Sequence, residues 1–287
     1  NKITIHINQI FIWACHLKCI MDPLQIIGIG IMQGIIEWLP ISSQGNIIIL
    51  MVEFLNYNVE NALKLSIVLH LGTVISACIY FRKNILQIII NLNNYKFGYE
   101  GEINSLTTFI LISTISSSIV GLVIFSNLLN IIESNIILLI IGIGLIVTGI
   151  IQRSVKSTIK TNNDLNHYVT VITGILQGLA VIPGISRSGI TTSYLLLNKY
   201  EPQTALRLSF IMSIPAVIIA NLYLLIIEGI NNIQLTEILL AIFITSIVGF
   251  LSIKSFIGMA GKIKFWIFTI SLGILIVIPE IINLVSL

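Results

Sequence analysis

Gly30-Ile-Met-Gln-Gly-Ile-Ile-Glu-Trp-Leu-Pro-Ile-Ser-Ser-Gln-Gly-Asn46 is the stretch on which the fold turns. It joins two apolar runs, 24–41 and 46–55. Neither is a span by itself, since a helix crossing the hydrocarbon core needs about 20 mostly apolar residues. Pro40 closes the first run, and Ser42-Ser43-Gln44-Gly45-Asn46 follows directly. In hydrocarbon, a polar, glycine-containing break survives only where protein or a water-filled cavity satisfies its backbone. The stretch therefore predicts two short half-helices around a lined break.

The pattern recurs. Residues 168–182 are apolar, stop at Pro183-Gly184, run through Ser186-Arg187-Ser188-Gly189 and resume at Ile190 to Leu197. At an offset of 144, Gly30, Gln33, Gly34, Ser42 and Gly45 match Gly174, Gln177, Gly178, Ser186 and Gly189. Six longer apolar segments qualify as spans, at 62–81, 105–127, 135–152, 203–228, 235–257 and 265–284. Arg82, Lys83 and Lys96, then Arg153, Lys156 and Lys160, then Lys254, Lys262 and Lys264, mark three connections as cytoplasmic; those near 128–134 and 229–236 hold no Lys or Arg and belong outside. On that topology 24–60 enters and leaves on the outside, and 168–202 on the inside. The fold expected is an all-α integral membrane protein, with six transmembrane helices and two re-entrant hairpins in an inverted-topology repeat. Inverted repeats with broken helices place their binding site at the breaks.

Composition agrees. Of 287 residues, 56% are hydrophobic and 9% charged, against about 25% charged in soluble domains. The net charge of +3 gives no reason to expect nucleic acid. Cys15, Cys19 and Cys78 lack the spacing of a disulfide framework or zinc site. Residues 1–21 read as an N-terminal extension of undecided kind (an extra helix, a weak anchor, or sequence upstream of a start at Met21) and carry no functional assignment. Residues 22–287 are expected to form one membrane domain, with halves at about 22–160 and 161–287.

Gln33 and Glu37 lie one helical turn apart, on one side of the first half-helix. An ionised carboxylate in the membrane costs at least ~2.5 kcal/mol, so Glu37 lines a cavity, binds a metal or pairs with a cation. The alternative is an interfacial Glu beside Trp38 as a belt residue. Arg187, between two hydroxyls and two glycines, offers a guanidinium fork that matches phosphate oxygens; alone it would snorkel to the interface. Together the breaks supply a carboxylate, a guanidinium and the hydroxyls of Ser42, Ser43, Ser186, Ser188 and Thr191, a set suited to a phosphorylated lipid. His70, in mid-span, is either a site residue or an imidazole bonded to a nearby carbonyl.

The two breaks resemble the signatures of the undecaprenyl-diphosphate phosphatases of the bacitracin-resistance type. Residues 30–46 look like an (E/Q)-x-x-x-E motif followed by L-P-x-S-S-x-G-H, and Pro183-Gly-Ile-Ser-Arg-Ser-Gly-Ile-Thr191 looks like P-G-x-S-R-S-x-x-T. His70-Leu-Gly-Thr73 is also family-like, and the resemblance covers roughly 22–285. It implies removal of the terminal phosphate of a polyprenyl diphosphate at the outer face of the plasma membrane, which recycles the lipid carrier, with a divalent cation, Mg²⁺ or Ca²⁺. It makes Glu37, Ser43 and Arg187 the catalytic residues. Gln33, Ser42, Asn46, Ser186, Ser188 and Thr191 then bind substrate, and Glu37 with Gln33 stands at the metal position. The partners expected are the lipid and the bilayer, with a homodimer left open. Asn46 departs from the pattern, which has His there; Asn is neither base nor nucleophile, so Glu37 or a metal-bound water becomes the base and Asn46 orients a ligand. An amide at this position resembles archaeal-type members. The rival reading is a polyprenyl-phosphate flippase without hydrolysis, and a third is an inactive lipid-binding paralogue.

Overall fold

A computed structural model describes residues 22–131, 134–155, 165–228, 234–259 and 264–285. The extension 1–21, with Cys15, Cys19 and the proposed start at Met21, lies outside the described residues, as do Lys156, Lys160 and Lys262.

All the regular structure among the described residues is helical. Helix α1 (Pro23–Ile36) starts where the Asp22 carboxylate accepts from the Leu24 N–H, with Pro23 in its first turn, where a missing N–H costs nothing. Next come α2 (Ser43–Ile49), which widens into a π turn at Leu50–Phe54, α3 (Val59–Tyr80), α4 (Arg82–Asn91), α5 (Glu102–Ile131) and α6 (Ser134–Arg153). The rest of the chain gives α7 (His167–Leu179), α8 (Arg187–Leu197), α9 (Pro202–Tyr223, widening at Leu224–Glu228), α10 (Leu235–Gly258) and α11 (Phe265–Val285). Six are long and apolar enough to cross a membrane: 59–80, 102–127, 136–153, 202–227, 235–258 and 265–284. These are the six expected segments, each shifted by three residues or fewer at either end. Large exposed side chains such as Phe243, Leu251, Ile226 and Leu275 would form an aggregating patch in water and suit a lipid-facing surface.

Both breaks are shorter than their polar letters suggest. The first covers 37–42, because α2 begins at Ser43; the second ends at Ser186, because α8 begins at Arg187. The cause is capping. The Ser42 hydroxyl accepts from the Gly45 N–H (3.3 Å) and that of Ser186 from the Gly189 N–H (3.2 Å), so each helix starts as soon as its cap is met. The repeat-related Ser/Gly pairs are thus two equivalent caps. Ser42 takes φ 60°, a left-handed conformation that a short polar side chain tolerates.

The packing pairs are as ordered as the sequence. Helices α1 and α3 both lie on α10, α7 and α9 both lie on α5, and α6 lies on α11. Gly34 and Gly178, another repeat-related pair, allow two of these approaches: a Cβ on Gly34 would stand 2.9 Å from the Gly249 nitrogen, and one on Gly178 2.8 Å from the Ser117 carbonyl oxygen. The Ser113–Ser118 run is the surface on which α7 packs, as its small residues suggest. Lys64 and Arg207 pair with Glu60 and Glu102 near the starts of α3 and α9, at 2.6 and 3.7 Å. The connection after α3 holds a helix, α4, that its polar letters did not predict; Ile85 and Ile88 pack inward while Leu86, Ile89 and Ile90 stay exposed. A Gly178→Leu substitution is expected to lower stability by about 1–3 kcal/mol through overpacking, measured as the shift in SDS-unfolding midpoint.

Candidate active site

Glu37 caps the end of α1 and is 4% exposed. Its carboxylate is met from four directions. Gln33 Nε2 donates to Oε2 at 2.9 Å, Ser43 Oγ donates to the same oxygen at 2.6 Å, and His70 Nε2 lies 3.2 Å from it. Across the molecule, Arg187 Nη2 donates to Oε1 at 2.5 Å. The two breaks, 150 residues apart in the chain, are therefore closed on one another by an ion pair. Burying the carboxylate without partners would cost several kcal/mol; three hydrogen-bond donors and the adjoining His70 ring offset that cost.

Both alternatives that placed these charges at the interface fail. Glu37 and Arg187 face inward, with side chains 4% and 15% exposed. Trp38 is no belt residue: it is 2% exposed, donates from Nε1 to the Gly249 carbonyl (3.0 Å) and meets Phe210 edge-on at 5.0 Å. It seals the break against α10 and α9.

Other bonds fix the two breaks to each other and to α6. Ser188 Oγ donates to the Leu39 carbonyl (3.2 Å). From α6, Gln152 Nε2 donates to the Pro40 carbonyl, and Thr148 Oγ1 accepts from the Ser186 N–H (3.0 Å). Gly184 holds φ +95° with the α6 backbone at Ile141 against it, a place closed to any Cβ.

A small polar pocket lies between the breaks, lined by Glu37, Ser42, Ser43, His70, Arg187 and Ser188 among others. Ser186 lines it too. A larger cavity adjoins it, sharing Gln44, His70, Ala180 and Arg187. Its walls are mostly apolar, with Leu122 and Phe125 from α5 and Val217 and Ile219 from α9. Arg187 Nη1 is buried and has no hydrogen-bond partner, so half of the fork is free for a ligand.

Comparison with known proteins shows the family. The family model described as bacitracin resistance protein BacA matches residues 26–278. The chain belongs to the BacA family. Curated BacA-family relatives include the undecaprenyl-diphosphatase of Methanococcoides burtonii, 38% identical over 262 residues, which are 87% of this chain and 95% of that one. The undecaprenyl-diphosphatase of Haloarcula marismortui is 30% identical over 86% of this chain and 93% of its own, and that of Halothermothrix orenii 30% identical over 90% and 98%.

Within this BacA-family site, the expected residues divide into two groups. Gln33, Ser43 and Arg187 each bond to Glu37, while Ser42, Ser186 and Ser188 line the pocket beside it. Asn46 and Thr191 turn elsewhere. Asn46 Nδ2 donates to the Ile41 and Ser42 carbonyls, both at 2.8 Å. Thr191 Oγ1 donates to the Arg187 carbonyl (2.7 Å) and meets Ser209 Oγ at 2.7 Å. Neither lines the polar pocket. His70 satisfies both of its alternatives, since Nδ1 bonds the Ser66 carbonyl (2.6 Å) while Nε2 faces Glu37. Gln152 and Thr148 went unmarked; an amide one turn from a hydroxyl on an otherwise apolar span was the available signal. Asn46→Ala is expected to release the two carbonyls of the break and cost about 1–3 kcal/mol, read as a lowered unfolding midpoint. An undiminished midpoint would return Asn46 to a role toward ligand.

Proposed function

We propose that this protein hydrolyses a polyprenyl diphosphate, of the undecaprenyl kind for which its relatives are named, to the monophosphate and inorganic phosphate. The observation that carries this is the Glu37 carboxylate, bonded at once to a hydroxyl that can attack (Ser43) and to a guanidinium that can hold phosphate (Arg187). The Arg187 fork, with Nη1 unengaged, takes the terminal phosphate and stabilises charge developing on it. Ser43 Oγ bonds to the terminal phosphorus as the bridging P–O bond breaks, and the electron pair leaves with the polyprenyl monophosphate. The Ser43 proton passes to Glu37 Oε2, 2.6 Å away. Water then displaces Ser43 from phosphorus, a proton returns to its Oγ, and inorganic phosphate is released. The apolar cavity beside the pocket takes the first units of the chain.

The broken segments 24–60 and 168–202 are re-entrant hairpins in an inverted repeat. This reading is supported by the equivalent Ser42 and Ser186 caps and by the exchange of partners, α1 and α3 on α10 against α7 and α9 on α5. The larger cavity reaches Phe125 and Asn221, toward the ends of α5 and α9 whose following connections lack Lys and Arg. The positive-inside rule makes that the extracytoplasmic face of the plasma membrane, where spent lipid carrier is recycled.

The resemblance implies Mg²⁺ or Ca²⁺, but Glu37 and Gln33 do not fit a metal held by the protein. Both Glu37 oxygens are engaged by donors, and an added dication would sit against the Arg187 guanidinium. Gln33 leaves one unengaged amide oxygen, and the described residues contain no cluster of three His, Cys, Asp or Glu. No step is assigned to a metal on Glu37; a divalent cation would travel on the diphosphate oxygens, which bind it without the protein.

Phosphate release from farnesyl or undecaprenyl diphosphate by the purified protein tests the reading. Arg187→Ala and Glu37→Gln should each lower kcat/KM by roughly 100-fold or more, with the elution profile unchanged. Folded parent protein that releases no phosphate with Mg²⁺ or Ca²⁺ would overturn it.

A further inference from the structure

His70 has no role in the steps above, and its surroundings give it one. It lies on α3, in neither break, yet it lines both the polar pocket and the apolar cavity. Its side chain is 16% exposed. His167, the other imidazole among the described residues, stacks on Phe97 and meets Tyr99 edge-on, and lines neither cavity. Asn46 cannot substitute, because its amide hydrogens are held by two backbone carbonyls.

The ring's partners set its hydrogen-bonding role. Nδ1 meets the Ser66 carbonyl oxygen at 2.6 Å, and a carbonyl only accepts. Nε2 meets Glu37 Oε2 at 3.2 Å, and an ionised carboxylate also only accepts. Both contacts are satisfied when the ring donates from both nitrogens. Such a ring gives a proton in the forward step. The carboxylate beside it, already accepting from Ser43, takes one.

We propose that His70 is the general acid of the reaction, working as a pair with Glu37; this rests on the phosphatase reading above. As the bridging P–O bond breaks, the Nε2 proton goes to the leaving oxygen of the polyprenyl monophosphate while the Ser43 proton goes to Glu37 Oε2. Glu37 then hands that proton across to Nε2. The pair returns to its starting state without an outside donor. The same exchange serves the second displacement, with Ser43 Oγ as the leaving oxygen and water as the source of the proton. The charged groups facing His70 are Glu37 from the first break and Arg187 from the second.

His70→Gln tests this, because a glutamine amide can still donate a hydrogen bond to Glu37 but cannot transfer a proton. With purified protein and farnesyl diphosphate, kcat is expected to fall by roughly 100-fold with KM within about threefold of the parent. Because the two residues act as a unit, Glu37→Gln/His70→Gln should fall no further than Glu37→Gln alone. Turnover of His70→Gln within threefold of the parent would overturn the proposal, as would losses that multiply in the double variant. If His70→Gln does not elute as folded protein, His70→Asn is measured by the same criteria. A parent that releases no phosphate refutes the phosphatase reading, whereas an active parent with an equally active His70→Gln refutes this proposal alone.

Discussion

A carboxylate inside the bilayer needs compensating partners. Glu37 is buried among helices that face lipid on their other sides, and its ion pair with Arg187 is what allows it to be there. The pair also joins residues 150 positions apart, so the two breaks must meet for either charge to be tolerated. Breaking such a pair by removing one partner leaves an uncompensated charge and costs about 3–5 kcal/mol in buried settings. The two polar breaks thus depend on one another, and the half-helices α1, α2, α7 and α8 follow their positions.

That dependence explains how the chain tolerates so much polarity at depth. The serines at the breaks are mostly occupied with structure before any substrate arrives: Ser42 and Ser186 cap helices, and Ser188 ties one break to the other. Ser43 differs, since its hydroxyl is spent on Glu37 and on nothing else shown. Two neighbouring serines with nearly identical local sequence therefore have unlike work, decided by which points at the carboxylate.

Much of this was legible in the letters. Six apolar runs and two polar interruptions specify spans and breaks, because bilayer thickness and backbone satisfaction leave a chain few options. The identities of Glu37, Ser43 and Arg187 as neighbours were legible for the same reason, since isolated charges are too costly at depth. Direction was not. Asn46 and Thr191 lie in the right motifs yet turn to backbone, because the caps start α2 and α8 earlier than the polar letters imply and rotate those side chains away. His70 could not be placed from its own span, for whether a mid-helix imidazole meets a carboxylate depends on how α3 packs against the first break. Helix α4 was hidden because its apolar packing into the core comes from Ile85 and Ile88 alone.

Thr148 and Gln152 stand one turn apart on α6, and each holds one break. Carboxylate and guanidinium are in effect hung from a single rod, itself pressed along its length against α11. Thermal tilting of that rod carries both breaks in the same direction, so the separation between the attacking hydroxyl and the anion clamp varies less than the position of either. Transfer of a phosphoryl group tolerates little error in that separation. A common suspension keeps the register while the surrounding helices breathe in a fluid bilayer.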